Sequence, residues 1–414
     1  MPGQDTRRMA YELDGPAKHR LQSYFETTIG SHLGRPEQRA SFATYALGIL
    51  GEGARKSVEP IAARISSDPL EVQRWHDRLL YFLRDSPWDD HAIRRAAAIH
   101  VTKVMQEQDP NLVWIIDDTG FLKQGKDSVG VHRQYTGTAG KVTNCQIGVS
   151  LSVANRTEHV PIDFELYVPE RWCEDDKRRR KARIPDELVF KTKPEIALDL
   201  IARAKKNEIP GNIILADAAY GDSAAFREAL REQGFDFAVA IKGPTCVWLL
   251  DAQENAERIV SARELAIELG LHTFRRITWR TGTKGKLSSR FCFRRVKPAH
   301  GATEPEDKEP LWLVMEWPDG EAEPKKFALT TLPRRMSKKQ IIRILKERWR
   351  TEDAYHELKE ELGLDHFEGR SFTGWHHHIS VVLSCYAFIV TERMRHFPPS
   401  ARGQAQGDAN PIAA

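Results

Sequence analysis

Residues Leu112–Asp117 (LVWIID) are apolar at every position except the last, and this run narrows the possible folds more than any other stretch. Six residues are too few for a buried helix but suit a strand covered on both faces. The run ends in two adjacent acids, Asp117 and Asp118, followed by Thr119-Gly120. A second such run, NIILA, ends at Asp217. Between them CQIGVSLSVA and HVPIDFELYV read as strands and Lys193–Lys205 as a helix. Beyond Asp217 come an expected helix over Ser223–Gln233 and a strand at FDFAVAIK. Strand, strand, strand, helix, strand, helix, strand predicts an α/β chain: an α+β mixed sheet with helices packed on it.

The flanking segments have other periods. Residues 16–105 carry apolar residues three to four apart, broken by Gly and Pro, and read as helices. Among them ARKSVEPIAARI is a short basic helix, equally compatible with a DNA contact and with a solvated face. From Pro244 to about Pro333 the pattern is β-like with many turns, and the acidic TEPEDKE suits an exposed hairpin tip. Helix is expected again from the N-cap Ser337 to Leu362, where Gly363 ends it, and from Trp375 to Arg395. The predicted organisation is an N-terminal helical region (1–107), a core in two parts (108–243 and 336–396), a β-rich insertion (244–335) and a disordered tail (397–414).

Composition excludes several classes. With 41% hydrophobic and 29% charged residues, the chain is neither disordered nor a small disulfide scaffold. Five dispersed cysteines without a CxxC pair argue against a zinc ribbon and for a reducing cytosol. The N-terminus has no signal-peptide core, and the longest apolar run, Ile379–Val390, is shorter than the roughly 20 residues that cross a bilayer. A soluble cytoplasmic protein is expected.

Carboxylates are costly to bury unless paired or metal-bound, so two neighbouring strands ending in Asp suggest a metal site. On the helix RILKERWRTEDAYHELKEELGL, Arg348, Glu352 and Lys359 fall on one face, cation, carboxylate, cation. Three carboxylates suit Mg²⁺, and two such ions can drive an in-line phosphoryl transfer. Singly, each acid reads as a cap or an ion pair. Together, in this element order, they read as a site.

At this point the segments WIIDDTGFLKQGKDSVGVHRQYTGTAGKVTNCQIGVSLSVA, IILADAAYGD and ERWRTEDAYHELKEELGLDHFEGRSFTGWHHH are recognisable. They resemble the DDE-superfamily transposases of bacterial insertion sequences, in the IS-seven-oh-one-like group related to the IS-four group. The resemblance covers roughly residues 25–395. It implies a ribonuclease-H-like catalytic core with a β-rich insertion before the last acidic helix. Carried over by motif, the catalytic and metal-binding residues are Asp118, with adjacent Asp117 its rival, Asp217 and Glu352. Arg348 and Lys359 match the Arg and Lys of the IS-four signature, whereas Leu345 stands where that signature has Tyr. The implied chemistry is cleavage of transposon-end DNA by water with Mg²⁺ or Mn²⁺, then attack of the 3′-hydroxyl on target DNA. A homodimer on double-stranded DNA and a nucleoid-associated location follow by analogy.

Charge distribution agrees with a DNA partner. Arg275–Lys297 contains nine Lys/Arg and no acid, interleaved with Phe274, Trp279, Phe291 and Phe293. Arg275, Arg276, Arg280, Lys284, Lys286 and Arg290 are the expected phosphate contacts, with the aromatics for unstacked bases. Trp248 and Trp279 equally suit an insertion core. KRRRKAR (177–183) suits a phosphate-contacting or a solvated loop, and His376–His378 suits a helix-cap region or a DNA contact rather than one shared ion. Two other classes compete: a catalytically silent, host-adopted DNA-binding protein, and a metal-dependent phosphatase, which the adjacency of Asp117 and Asp118 disfavours.

Overall fold

A computed structural model describes residues 15–251, 253–282, 285–299 and 309–396. Lys284, the expected tail, the first 14 residues and most of TEPEDKE lie outside the described residues.

The chain opens with helices α1 (Gly15–Ser23), α2 (Pro36–Leu50), α3 (Val58–Ile65), α4 (Pro69–Arg84) and α5 (Asp90–Gln108). Local chemistry sets their starts. Asp68 caps α4 by accepting from the Leu70 amide, with Pro69 at the first helical position, and Asp89 caps α5 through the Ala92 amide.

Four strands follow: β1 (Val113–Leu122), β2 (His132–Thr136), β3 (Lys141–Ala154) and β4 (His159–Tyr167). Then come α6 (Glu170–Cys173), α7 (Asp176–Ala182), α8 (Lys193–Lys206), β5 (Ile213–Ala216), α9 (Ala218–Gly221), α10 (Ala224–Glu232) and β6 (Asp236–Ile241). The β-rich segment holds β7 (Cys246–Leu250), β8 (Ala256–Ser261), α11 (Ala262–Leu269), β9 (Arg275–Gly282), β10 (Gly285–Pro298), β11 (Leu311–Trp317) and β12 (Lys326–Thr330). Helices α12 (Lys338–Lys346), α13 (Arg350–Glu360) and α14 (Phe372–His396) close the fold.

β3 lies antiparallel between β4 and β1, and β1, β5 and β6 run parallel. The order β4-β3-β1-β5-β6 is that of a ribonuclease-H-like core. β12 pairs antiparallel with β6, so the sheet continues through β11, β10, β7 and β8. The β-rich segment is therefore an extension of the core sheet.

Three elements differ from the sequence expectation. β1 runs on through Asp117-Asp118 to Leu122, because β3 pairs with it along its whole length. The polar, Gly-rich stretch 121–143, whose sequence suggests no element, contains β2, paired with the start of β3. The expected helix Ser337–Leu362 is broken by a 3₁₀ turn, Glu347–Trp349, where Lys346 bonds Glu316 at 2.6 Å and Arg350 bonds Glu347 at 2.6 Å. Short 3₁₀ stretches inside helices often mark functional sites.

Helix α14 is buried almost all round, as an apolar helix must be. It packs against α2, α4, α5 and β4, so the N-terminal helices share one core with it and with the sheet. Among the described residues no helix is long and apolar enough to cross a membrane.

His376, His377 and His378 lie inside this core, which corrects the helix-cap and DNA readings. His377 contacts the carbonyls of Leu83 and Trp88, at 2.8 and 3.1 Å. His378 contacts the Tyr45 hydroxyl and the Gly363 carbonyl, at 2.9 and 3.0 Å. Burial pushes the pKa of His377 and of His378 down to about 4, and that of buried His159 to about 3. These residues fold neutral and protonate readily only when unfolded. The stability they support is present above about pH 6.5 and is lost as pH falls towards 4, at on the order of 3 kcal/mol per residue. Urea midpoints are expected to fall steeply between pH 7 and 5, and less steeply in His378→Gln.

KRRRKAR likewise forms α7 and its C-cap. Arg179 donates to the Leu188 carbonyl at 2.9 Å, and the Arg178 guanidinium stands 4.9 Å from the Trp172 ring centre. Part of that basic run is thus structural.

Candidate active site

Strand parity decides which acids face one another. Successive residues of a strand point to opposite faces. On β1, Val113 and Ile115 belong to a buried cluster with Ile341 and Ile342 of α12, and Asp117 continues that face. Trp114 and Ile116 belong to the main core on the other side, and Asp118 continues theirs. On β5, Ile213 and Leu215 share the face of Ile115. Ile115 pairs with Leu215 and Ile116 with Ala216 in parallel register, so Asp117 and Asp217 are neighbours at the next step, about 4.8 Å apart along the sheet. Asp217 also caps α9, accepting from the Ala219 amide at 2.8 Å.

The electrostatics match. Burial pushes the Asp117 carboxyl up to about 7, the Asp217 charge adds to the rise, and Arg348 opposes it. Arg348 Nη1 donates to Asp117 at 2.8 Å. Asp118 faces Lys193 at the start of α8, 3.0 Å away, and accepts from the Tyr220 hydroxyl at 3.2 Å. Asp118, the first ligand expected from the motif, therefore lies on the face away from Asp217, and its rival Asp117 lies beside it.

α13 crosses the Asp117 face. Arg348, Glu352, Tyr355 and Lys359 fall four, three and four residues apart, one stripe along the 3₁₀ turn and α13. Three of them touch the sheet. Arg348 holds Asp117. The Tyr355 hydroxyl lies 2.5 Å from Ser150, the residue paired with Asp117. Lys359 donates to the Thr119 hydroxyl and the Gly120 carbonyl, both at 2.8 Å, and burial lowers its pKa. Glu352, on the same stripe, is exposed and has no hydrogen bond or ion pair among the described residues. As they stand, no three His, Cys, Asp or Glu side chains among the described residues converge closely enough to hold an ion.

The hairpin β2–β3 folds back over this site. Thr138 Oγ1 lies 3.2 Å from Lys359 Nζ and 3.3 Å from the Gly120 amide. A side chain at Gly120 would put its Cβ 2.0 Å from Thr136 Oγ1, so only glycine allows this approach. Tyr355, Ser150, Tyr220, Lys193 and Thr138 went unnoticed in the sequence, because nothing in spacing alone marks a residue that braces an acid from another element.

The cations of the β-rich segment divide. Arg280 stacks its guanidinium 4.2 Å from the Trp349 ring centre, beside Arg348, and reaches the rim of the site. Arg275 and Lys286 are exposed. Arg276 is held by both oxygens of Asp319, at 2.9 and 2.8 Å, and Arg290 lies 3.4 Å from the same acid. The aromatics expected to meet unstacked bases are core instead: Phe274, Phe291 and Phe293 are buried. Trp279 packs edge-on against Phe291, with Lys346 4.9 Å from its ring centre. The alternation of aromatic and basic residues here is the in-out period of a half-buried strand pair.

Comparison with known sequences gives the family of the chain. Residues 29–286 match the DDE superfamily endonuclease family, and residues 192–388 match the transposase DDE domain family. A curated relative from Microchaete diplosiphon, described as a probable transposase for insertion sequence element IS701, is 31% identical over 215 residues. The alignment covers 51% of this chain and 51% of that protein, so the chain spans about half the length of the relative it matches.

Proposed function

Because the chain belongs to the DDE superfamily of endonucleases and transposases, we propose that it is a DNA transposase that cuts transposon-end DNA and joins the freed 3′-hydroxyl to target DNA. The observation that carries this reading is the pair Asp117 and Asp217, side by side where β1 passes the end of parallel β5 under the Arg348–Lys359 stripe.

The donor set suits a hard divalent cation. All the candidate donors are carboxylate oxygens, and burial first, with the Asp217 charge adding to it against Arg348, raises the proton affinity of Asp117. In this reading Asp117, Asp217 and Glu352 hold Mg²⁺, with Mn²⁺ able to substitute, and Asp118 braces the site through Lys193 and Tyr220. The bound cations would activate the attacking oxygen and stabilise the leaving one. Arg348 and Lys359 neutralise the scissile phosphate, at positions fixed by their bonds to Asp117, Thr119 and Gly120. Arg275, Arg280 and Lys286 contact the DNA backbone beside it, with Arg276 and Arg290 supporting through Asp319. Two ends must meet before joining, so a homodimer on DNA is part of the proposal.

Glu352→Gln tests the third ligand. Binding to end-sequence duplex is expected to stay within about twofold, whereas strand cleavage falls by about a thousandfold. Cleavage at the wild-type rate would remove Glu352 from the ligand set. Wild-type protein that binds ends but never cuts, with either ion, would favour the silent DNA-binding reading.

A further inference from the structure

Phe274, Phe291 and Phe293 of the β-rich segment are buried and Trp279 packs against Phe291, whereas one widely exposed aromatic stands on the hairpin that folds back over the site. Tyr135 of β2 is 62% exposed, and the residue directly opposite on β3, Val142, is 52% exposed. Tyr135 makes no hydrogen bond or ring contact among the described residues. Arg133, two positions before it on the same face, is exposed, with no acidic partner among the described residues, whereas Lys141, also exposed, pairs with Thr136 and so belongs to the other face of the hairpin. The hairpin is held rigidly. Thr136 is buried against Gly120, and Thr138 shares Lys359 with Thr119. Thr119 lies two residues from Asp117 on the same face, about 7 Å along the strand. A flat apolar pair with a free cation on its own face, fixed beside a carboxylate site, has the chemistry of single-stranded nucleic-acid contact: an apolar face for the base and charge for the adjoining phosphate.

We propose that the β2–β3 hairpin is a nucleic-acid contact in which Tyr135, backed by Val142, stacks on an unpaired base of the strand at the active site, while Arg133 holds the adjoining phosphate. The inference rests on the DNA-cleaving reading and adds to it the state of the substrate: the strand at the site is locally unpaired, and the hairpin holds it open.

The probe is a 20-nucleotide oligo-dT carrying one 2-aminopurine, beside a fully paired duplex of the same length. Both are titrated with the full chain in EDTA, so that binding is read without cleavage. Tyr135→Ala is expected to weaken oligo-dT binding by roughly tenfold or more and to abolish the 2-aminopurine quenching, with duplex binding changed less than twofold. Tyr135→Phe, which keeps the ring, is expected to behave as wild type. Arg133→Ala is expected to flatten the salt dependence of oligo-dT binding. Tyr135→Ala protein that melts like wild type and binds and quenches the oligonucleotide equally well overturns the proposal. So does equal weakening for oligonucleotide and duplex, which makes the hairpin a mere duplex contact. Either outcome leaves the cleavage reading to its own test. Conversely, loss of quenching in Tyr135→Ala, in a protein whose wild type never cuts, would overturn only the cleavage reading.

Discussion

Asp117→Asn is expected to lower DNA cleavage by about a thousandfold or more, roughly 4 kcal/mol of transition-state stabilisation, whereas Asp118→Asn lowers it by about tenfold. The contrast follows from parity. Asp117 shares a face with Asp217 and is bonded by Arg348, but Asp118 points at Lys193 and Tyr220. Asn keeps the size of the side chain and one acceptor for Arg348, so the loss reports charge at the site rather than a hole in the sheet. The assay is cleavage of a labelled end duplex with Mg²⁺, supported by calorimetric titration of the ion. Equal losses at the two positions would mean that parity does not assign the ligand. A larger loss at Asp118 would restore the choice made from the motif.

Arg94→Met is expected to cost about 3–5 kcal/mol of stability, lowering the melting temperature by roughly 3–6 °C for a chain of this length. The Arg94 side chain is 1% exposed. It donates to Asp163 at 2.7 Å, Asp90 at 2.5 Å and Ser380 at 2.8 Å, tying α5 to β4 and α14. Arg203 bonds the other oxygen of Asp163 and also Glu165, which His376 contacts at 2.7 Å. Removing the guanidinium strands buried carboxylates, so the cost exceeds the lost packing. Pairing the change with Asp163→Leu is expected to recover part of it, because the second change removes a stranded charge. Thermal melts of the two single variants and the double variant measure the coupling. A loss below about 1 kcal/mol for Arg94→Met would show that water reaches the network and screens it.

Much of this architecture is written in local patterns. Short apolar runs ending in acids located β1 and β5, and Ser337, read as a cap, does accept the Gln340 amide. The partners of those acids were harder to see, because they depend on which way a strand turns its residues. LVWIID is apolar at both parities, so the pattern carries no signal for choosing between Asp117 and Asp118. Register against β5 supplies that signal, and register is a long-range property. The break at Glu347–Trp349 was hidden for a similar reason: its residues have ordinary helix propensity, and the turn accompanies side-chain contacts with the sheet and with β9. In Arg275–Lys297 the alternation was visible, but which side would be wet was not.

The pairing of β6 with β12 shapes how the protein is made. Ninety residues separate Val239 from its partner Leu329, and α14, which seals the first helices, emerges later still. During synthesis β6 leaves the ribosome as a naked edge and stays so until the strands beyond it have been translated. An open strand edge of that kind recruits other chains, so unfinished copies are the vulnerable population, and a slow, chaperone-attended biogenesis is the natural consequence.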